Sequence, residues 1–201
     1  WEEFKDAPAN VPIVRNVQRN VSPSRRAVDG DTARLDGRNV RLSGADAFEL
    51  RQPGRVDGIP YPLGRQSQRF LQSRLSPKTK ATDTGARSFN RPVVLLNNGS
   101  EDIGRSSIGA GMSVPVPKYL QPPRLDGYVK TQRKAIAAER GAYRGQYQLP
   151  SEYRKQGDAA PMRGKIAMTK AQTQQWSAML RDPKTTEADL SRWMETQGHK
   201  A

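Results

Sequence analysis

The chain has 201 residues, 34% hydrophobic and 6% aromatic, and its 34 lysines and arginines against 20 acidic residues give a formal net charge of +14. That composition supports one ordinary domain with looser extensions, and so basic a chain attracts polyanions, nucleic acid first. With no cysteine and a single histidine, His199, the sequence excludes disulfides, thiol catalysis, Cys- or His-rich metal sites and a Ser-His-Asp triad, and no apolar run reaches the ~20 residues of a membrane span.

Residues 1–22 carry Pro8 and Pro12 and no sustained period, and read as an arm or linker. The chain starts on Trp1 rather than Met, so we read it as a processed or excised part of a longer polypeptide whose compartment stays open. From Ser24 the segments SRRAV, TARL and RNVRL, joined by Asp29-Gly30-Asp31 and by an Asp36-Gly37 turn, predict a three-stranded antiparallel meander. FELRQPGRVDGIPYP (48–62) reads as a loop. LGRQSQRFLQSRL (63–75) places Leu63, Phe70, Leu71 and Leu75 close to one helical face, with Arg65, Arg69 and Arg74 elsewhere, which predicts a basic amphipathic helix.

SPKTKATDTGARSFNRP (76–92) reads as a second polar loop, VVLL (93–96) as a buried strand, and SSIGAGMSVPV (106–116) as the next strand after a turn. Pro122-Pro123 interrupts any helix before Arg124, while Val129, Ile136 and Tyr143 recur every seven residues and predict a helix that stops near Gly141. Residues 156–167 read as a linker. Over 168–201, Trp176, Leu180, Leu190, Trp193 and Met194 predict a short helical hairpin, with Gly198 as a stop.

The chemistry-bearing residues concentrate in VDGDTARLDGRNVRLSGADAFEL (28–50). Asp29 and Asp31 straddle Gly30, Asp46 and Glu49 follow the strand that carries Arg41, and Arg105 begins a later segment. Carboxylates clustered without His or Cys form a hard oxygen site that favours Ca²⁺ or Mg²⁺ over zinc. Phosphodiester hydrolysis needs such parts: a cation on the phosphate, a base for water, and arginines for developing charge. Surface salt bridging is the plain alternative for the same residues.

The block VDGDTARL…VRLSGADAFE resembles the thermonuclease family of staphylococcal-nuclease-like domains, whose pattern is a V-D-G-D-T junction, an arginine-bearing strand and a D-x-P-E loop. LGRQSQRFLQSRL, EDIGR and AERGAYRGQYQLPSEYR are similar to later family blocks in the same order, so the resemblance covers roughly residues 23–155. It implies an α+β, mainly β fold: an OB-type five-stranded β-barrel with packed helices, here between an N-terminal arm and a C-terminal helical tail. It further implies Asp31, Asp46 and the backbone carbonyl of Ala47 as ligands of a calcium ion (magnesium fitting less well), with Asp29 in support. Glu49 would be the general base, and Arg41 and Arg105 the phosphate contacts. Arg65, Arg69 and Tyr128 would touch nucleic acid.

Two departures stand out. The family's Thr-Pro before the base is Ala47-Phe48 here, which removes a rigid element that aims Glu49, and the tyrosine of the D-x-Y-G-R turn is Ile103. The implied function is a calcium-dependent endonuclease acting on DNA, and on RNA through the same phosphate contacts, with little sequence preference. Two other readings stay open: a non-catalytic OB-type nucleic-acid-binding module, and a segment of a larger assembly that meets a protein partner through its tail.

Overall fold

The Asp36-Gly37 and Asp57-Gly58 pairs mark places where the chain reverses. The computed structural model describes residues 25–164, together with Gln175 and Ala178, both helical. Contacts divide the chain into two units, Trp1–Lys165 and Ile166–Ala201. The arm expected over 1–22 and most of the hairpin expected over 168–201, with Trp176, Trp193, Met194 and His199, lie outside the described residues.

Strands β1 (Arg25–Ala27), β2 (Thr32–Leu35) and β3 (Arg38–Leu42) form the expected antiparallel meander. Asp36 and Gly37 both take positive φ, as a tight two-residue hairpin turn requires. The chain continues through β4 (Ala45–Ala47), β5 (Gly54–Val56), β6 (Ile59–Tyr61) and helix α1 (Leu63–Arg74). Next come β7 (Lys80–Ser88), β8 (Arg91–Asn98), β9 (Glu101–Asp102), α2 (Ile103–Gly109) and β10 (Ser113–Pro115). Helix α3 (Arg124–Ala137), β11 (Gln146–Tyr147), α4 (Pro150–Gln156) and β12 (Arg163–Gly164) complete the described part.

The fold is mixed α+β and mostly strand. Its main sheet runs β1-β2-β3-β8-β7, with β9 on β8, and curls as a half-barrel. Only the β3–β8 pairing in it is parallel, so α1 lies within the connection between them. Smaller sheets pair β10 with β4 and order β12-β11-β5-β6. Leu35, Val40 and Leu42 of the meander, Leu71 of α1, Val94 and Leu96 of β8, and Ile103 and Ile108 of α2 close one core. Phe48, Tyr61, Leu63, Val114 and Ala142 close a second.

Several segments differ from expectation. Residues 80–88, read as a loop, form a strand whose side chains are nearly all exposed; without a buried face it shows no apolar alternation. The loop over 48–62 contains the β5–β6 hairpin, turned at Asp57-Gly58. The strand expected over 106–116 is shortened to Ser113–Pro115, because Asp102 caps Ile103–Gly109 into a helix by accepting the Arg105 N–H. The expected linker over 156–167 includes a 3-10 turn and β12, which pairs with β11. Helix α3 starts directly after Pro122-Pro123 and ends before Gly141. Among the described residues no helix is long and apolar enough to cross a membrane.

Two glycines bring the site-bearing segments together. A β-carbon on Gly30 would meet that of Ala47 at 2.5 Å and that of Ser67 at 2.8 Å, so only glycine lets the Asp29–Asp31 turn lie against β4 and α1. A β-carbon on Gly64 would fall inside the Glu49 carbonyl, while the Gly64 N–H donates to the Gln52 carbonyl at 3.0 Å. Gly64→Ala is therefore expected to cost about 1–3 kcal/mol by overpacking and to displace Glu49. Urea denaturation of the variant beside wild type measures this; unchanged stability would show that α1 does not bear on the Glu49 backbone as described.

Candidate active site

The Asp29–Asp31 turn is held by its own first residue: Asp29 Oδ1 accepts the backbone N–H of Asp31 at 2.9 Å and of Thr32 at 2.6 Å. This turn puts Asp31 at the head of β2. Arg41 lies opposite Thr32 across the β2–β3 ladder, and cross-strand partners share a face, so its guanidinium reaches Asp31. Arg41 Nη1 donates to Asp31 Oδ1 at 3.1 Å, and Nη2 lies 3.0 Å from Asp31 Oδ2 and 2.9 Å from Asp46 Oδ1. Asp31 also accepts the Ala47 N–H at 3.2 Å. Asp31 and Asp46 are both buried, and one guanidinium bridges them.

Glu49 follows on a backbone clamped from both sides. Its N–H donates to Gln52 Oε1 at 3.0 Å, its carbonyl accepts the Gln52 N–H at 2.8 Å, and the buried Gln52 side chain donates to the Gln148 carbonyl at 2.7 Å. Phe48, where the resembled family has proline, is buried in the second core and meets Tyr147 edge-on at 5.9 Å between ring centroids. Packing thus supplies here the rigidity that a proline ring would otherwise give.

From α4, Arg154 donates to Asp46 through Nη1 and Nη2, each at 2.9 Å, and through Nη1 to Glu49 Oε1 at 2.8 Å. Partial burial works against its charge, but these bonds outweigh it, and its pKa lies above the ordinary arginine value. Arg91, entering β8, donates to Thr32 Oγ1 at 2.9 Å beside Asp31. These groups line one hollow of about 670 Å³, shared with Lys118, Tyr119 and Gln132. Phe89, 93% exposed, stands at its rim.

Asp29, Asp31, Arg41, Asp46, Ala47 and Glu49 are therefore brought together, and the other expected residues are not. Arg105 stands on the outer side of α2, donates through Nε to Thr131 Oγ1 at 2.9 Å, and lines a separate hollow with Arg74 and Arg140. Tyr128 is buried in the main core, and its hydroxyl donates to Asp102 Oδ1 at 2.8 Å, which leaves no surface for nucleic acid. Burial and the neighbouring Asp102 raise its pKa. Arg65 is exposed and Arg69 half-buried on α1, and neither lines the pocket. Two further arginines line it beside Arg41: Arg91, which precedes the apolar run Val93–Leu96 much as Arg41 stands at Leu42, and Arg154, the last residue of AERGAYRGQYQLPSEYR.

Burial pushes the Asp31 carboxyl up from 3.8 to about 7; Arg41 pulls it down, Asp29 and Asp46 raise it further, and the Ala47 N–H lowers it. Burial is the largest of these effects, so the site disfavours a charged Asp31 even with Arg41 beside it. Among the described residues no three His, Cys, Asp or Glu side chains converge as a metal-binding group. A cation here would take two carboxylates, Asp31 and Asp46, and draw its remaining oxygens from the Ala47 carbonyl and water. That all-oxygen donor set fits a hard divalent ion.

A folded-state pKa raised above the unfolded one means stability is full below about pH 4 and is lost as pH rises through about 7. Without divalent cations, wild type is expected to lose up to about 4 kcal/mol relative to Asp31→Asn between about pH 4 and pH 8. Calcium should restore wild type but not the variant. Thermal melts of both proteins across that range, with and without calcium, measure it; parallel curves would contradict the assignment.

No protein-family model matches the chain, and no curated protein matches it.

Proposed function

We propose that the chain is a metal-dependent nuclease of the thermonuclease type on an OB-type barrel, hydrolysing phosphodiester bonds of DNA, and of RNA through the same contacts. The observation that carries this reading is one pocket in which Asp31, Asp46 and Glu49 meet Arg41, Arg91 and Arg154, drawn from six separate elements or turns. The curled sheet with helices against it is compatible with an OB-type barrel. Calcium suits the pocket better than magnesium, because it tolerates irregular oxygen geometry.

When bound, the cation supplies a Lewis acid for the phosphate and a lowered pKa for water. Asp31 and Asp46 would hold it. Glu49, with Oε1 tied to Arg154, presents Oε2 to take the proton of the attacking water. The water oxygen bonds to phosphorus as the bond to the leaving ester oxygen breaks. Arg41 and Arg91 face the phosphate and stabilise the charge it gains in the transition state. Phe89 at the rim offers a ring on which a base can stack. All these contacts are to phosphate or to a generic base face, so little sequence preference follows.

One observation favours a second reading, a non-catalytic phosphodiester-binding module. Arg154 bonds both oxygens of Asp46 and also Glu49, so the arginines already occupy the carboxylates. Plasmid DNA incubated with the purified chain in calcium, in magnesium and in chelator separates the two. Nuclease action predicts calcium-dependent degradation that chelator abolishes and that Glu49→Gln slows by about 10²–10⁴-fold; DNA retarded but uncut in every condition would leave the binding module. On an active enzyme, Arg91→Ala is expected to lower kcat/KM by about 10²–10³-fold, with Arg105→Ala within a few-fold of wild type. Equal losses would show that Arg91 does not meet the phosphate.

A further inference from the structure

On β2, Thr32 and Arg34 are two residues apart and share a face; the ladder places Arg41 beside Thr32 and Asn39 beside Arg34. Across the β1–β2 pairing, Arg26 is directly opposite Arg34. Arg26, Arg34 and Asn39 are all exposed. The outer face of the meander thus leads out from the pocket, at Arg41, to a side-by-side pair of arginines about 7 Å further along the strand.

Like charges directly opposite on a ladder destabilise it, and among the described residues no ion pair offsets this one. Asp36, the acidic residue of the adjoining turn, is taken by Arg25 at 3.1 Å. Among the described residues neither Arg26 nor Arg34 makes an ion pair or side-chain hydrogen bond. Two guanidiniums at directly opposite positions of neighbouring strands suit the oxygens of a phosphodiester chain, which they can grip by forked hydrogen bonds.

We infer that this face is a track for one nucleic-acid strand: Arg34 and Arg26 hold the phosphates next to the one in the pocket and set the direction in which the strand leaves it. The inference rests on the reading of the pocket as a phosphodiester site. It adds a binding subsite, with no part in bond cleavage. The repulsion within the ladder is then a cost that the ligand removes on binding.

The test compares wild type, Arg26→Gln/Arg34→Gln, Arg26→Lys/Arg34→Lys and a control with the same charge loss on the exposed surface of α3, Arg133→Gln/Lys134→Gln. Binding of a fluorescent thirty-nucleotide single-stranded DNA is titrated in chelator over a range of salt. The glutamine pair should make the slope of log K against log salt shallower by about 1.4, two single-strand phosphate contacts at about 0.7 each. The lysine pair should keep most of the slope, the control should keep nearly all of it, and cleavage of a dinucleotide should stay within about twofold of wild type for every variant.

An equal slope change in the control, no change in the glutamine pair, or no salt-dependent binding by wild type would overturn the track. So would a glutamine pair that binds the oligonucleotide normally but loses phosphatidylserine vesicles, which would make the face a membrane contact. If wild type cuts nothing with calcium while the slope difference stands, the nuclease reading fails and the track survives.

Discussion

Two buried carboxylates that share one guanidinium set the terms for everything around them. Asp31 comes from a turn and Asp46 from strand β4, both are nearly inaccessible, and Arg41 stands between them with hydrogen bonds to each. Burying charge is costly unless it is paired, so the surrounding backbone must hold the three groups in register. The Asp29 turn, the close approach that Gly30 permits and the pairing of β4 with β10 all serve that geometry. Arg154 adds a second cation from a helix late in the chain, and burial still disfavours a charged Asp31. A strongly basic chain therefore buries a small cluster of carboxylates. A divalent ion can neutralise that cluster without removing the arginines that would meet a phosphate.

Much of this was legible in the sequence where local signals are strong. The meander could be read because two-residue Asp-Gly turns specify hairpins and because Ala33, Leu35, Val40 and Leu42 face one core. Helix α1 could be read from its apolar stripe. The carboxylates and Arg41 could be read because they crowd into one short stretch, so local geometry alone brings them close.

What escaped was non-local or lacked a pattern. Strand β7 is exposed on both faces, and polar residues with a glycine in such a strand look like a loop. Arg91 reaches the pocket only because the β7–β8 hairpin folds back beside β3, a parallel neighbour that no local signal announces. Arg154 meets Asp46 across 108 residues of sequence. Arg105 and Tyr128 matched by chain order, but Asp102 turns that segment into a helix and draws the Tyr128 hydroxyl inward. The replacement of Thr-Pro by Ala47-Phe48 weakened the expectation for Glu49, yet Phe48 fills a core and Gln52 pins the backbone. Rigidity came from packing, which a residue pattern does not display.

The central claim is that this pocket holds a divalent cation between Asp31 and Asp46 and a phosphate beside Arg41 and Arg91. Crystals soaked in calcium and inorganic phosphate, with anomalous scattering used to locate the metal, test it most directly. Calcium bound by both carboxylates, with phosphate on Arg41 and Arg91 and the guanidinium of Arg41 withdrawn from between the acids, is the expected result. A pocket with no metal peak, in which Arg41 and Arg154 still clasp Asp31 and Asp46, would contradict it.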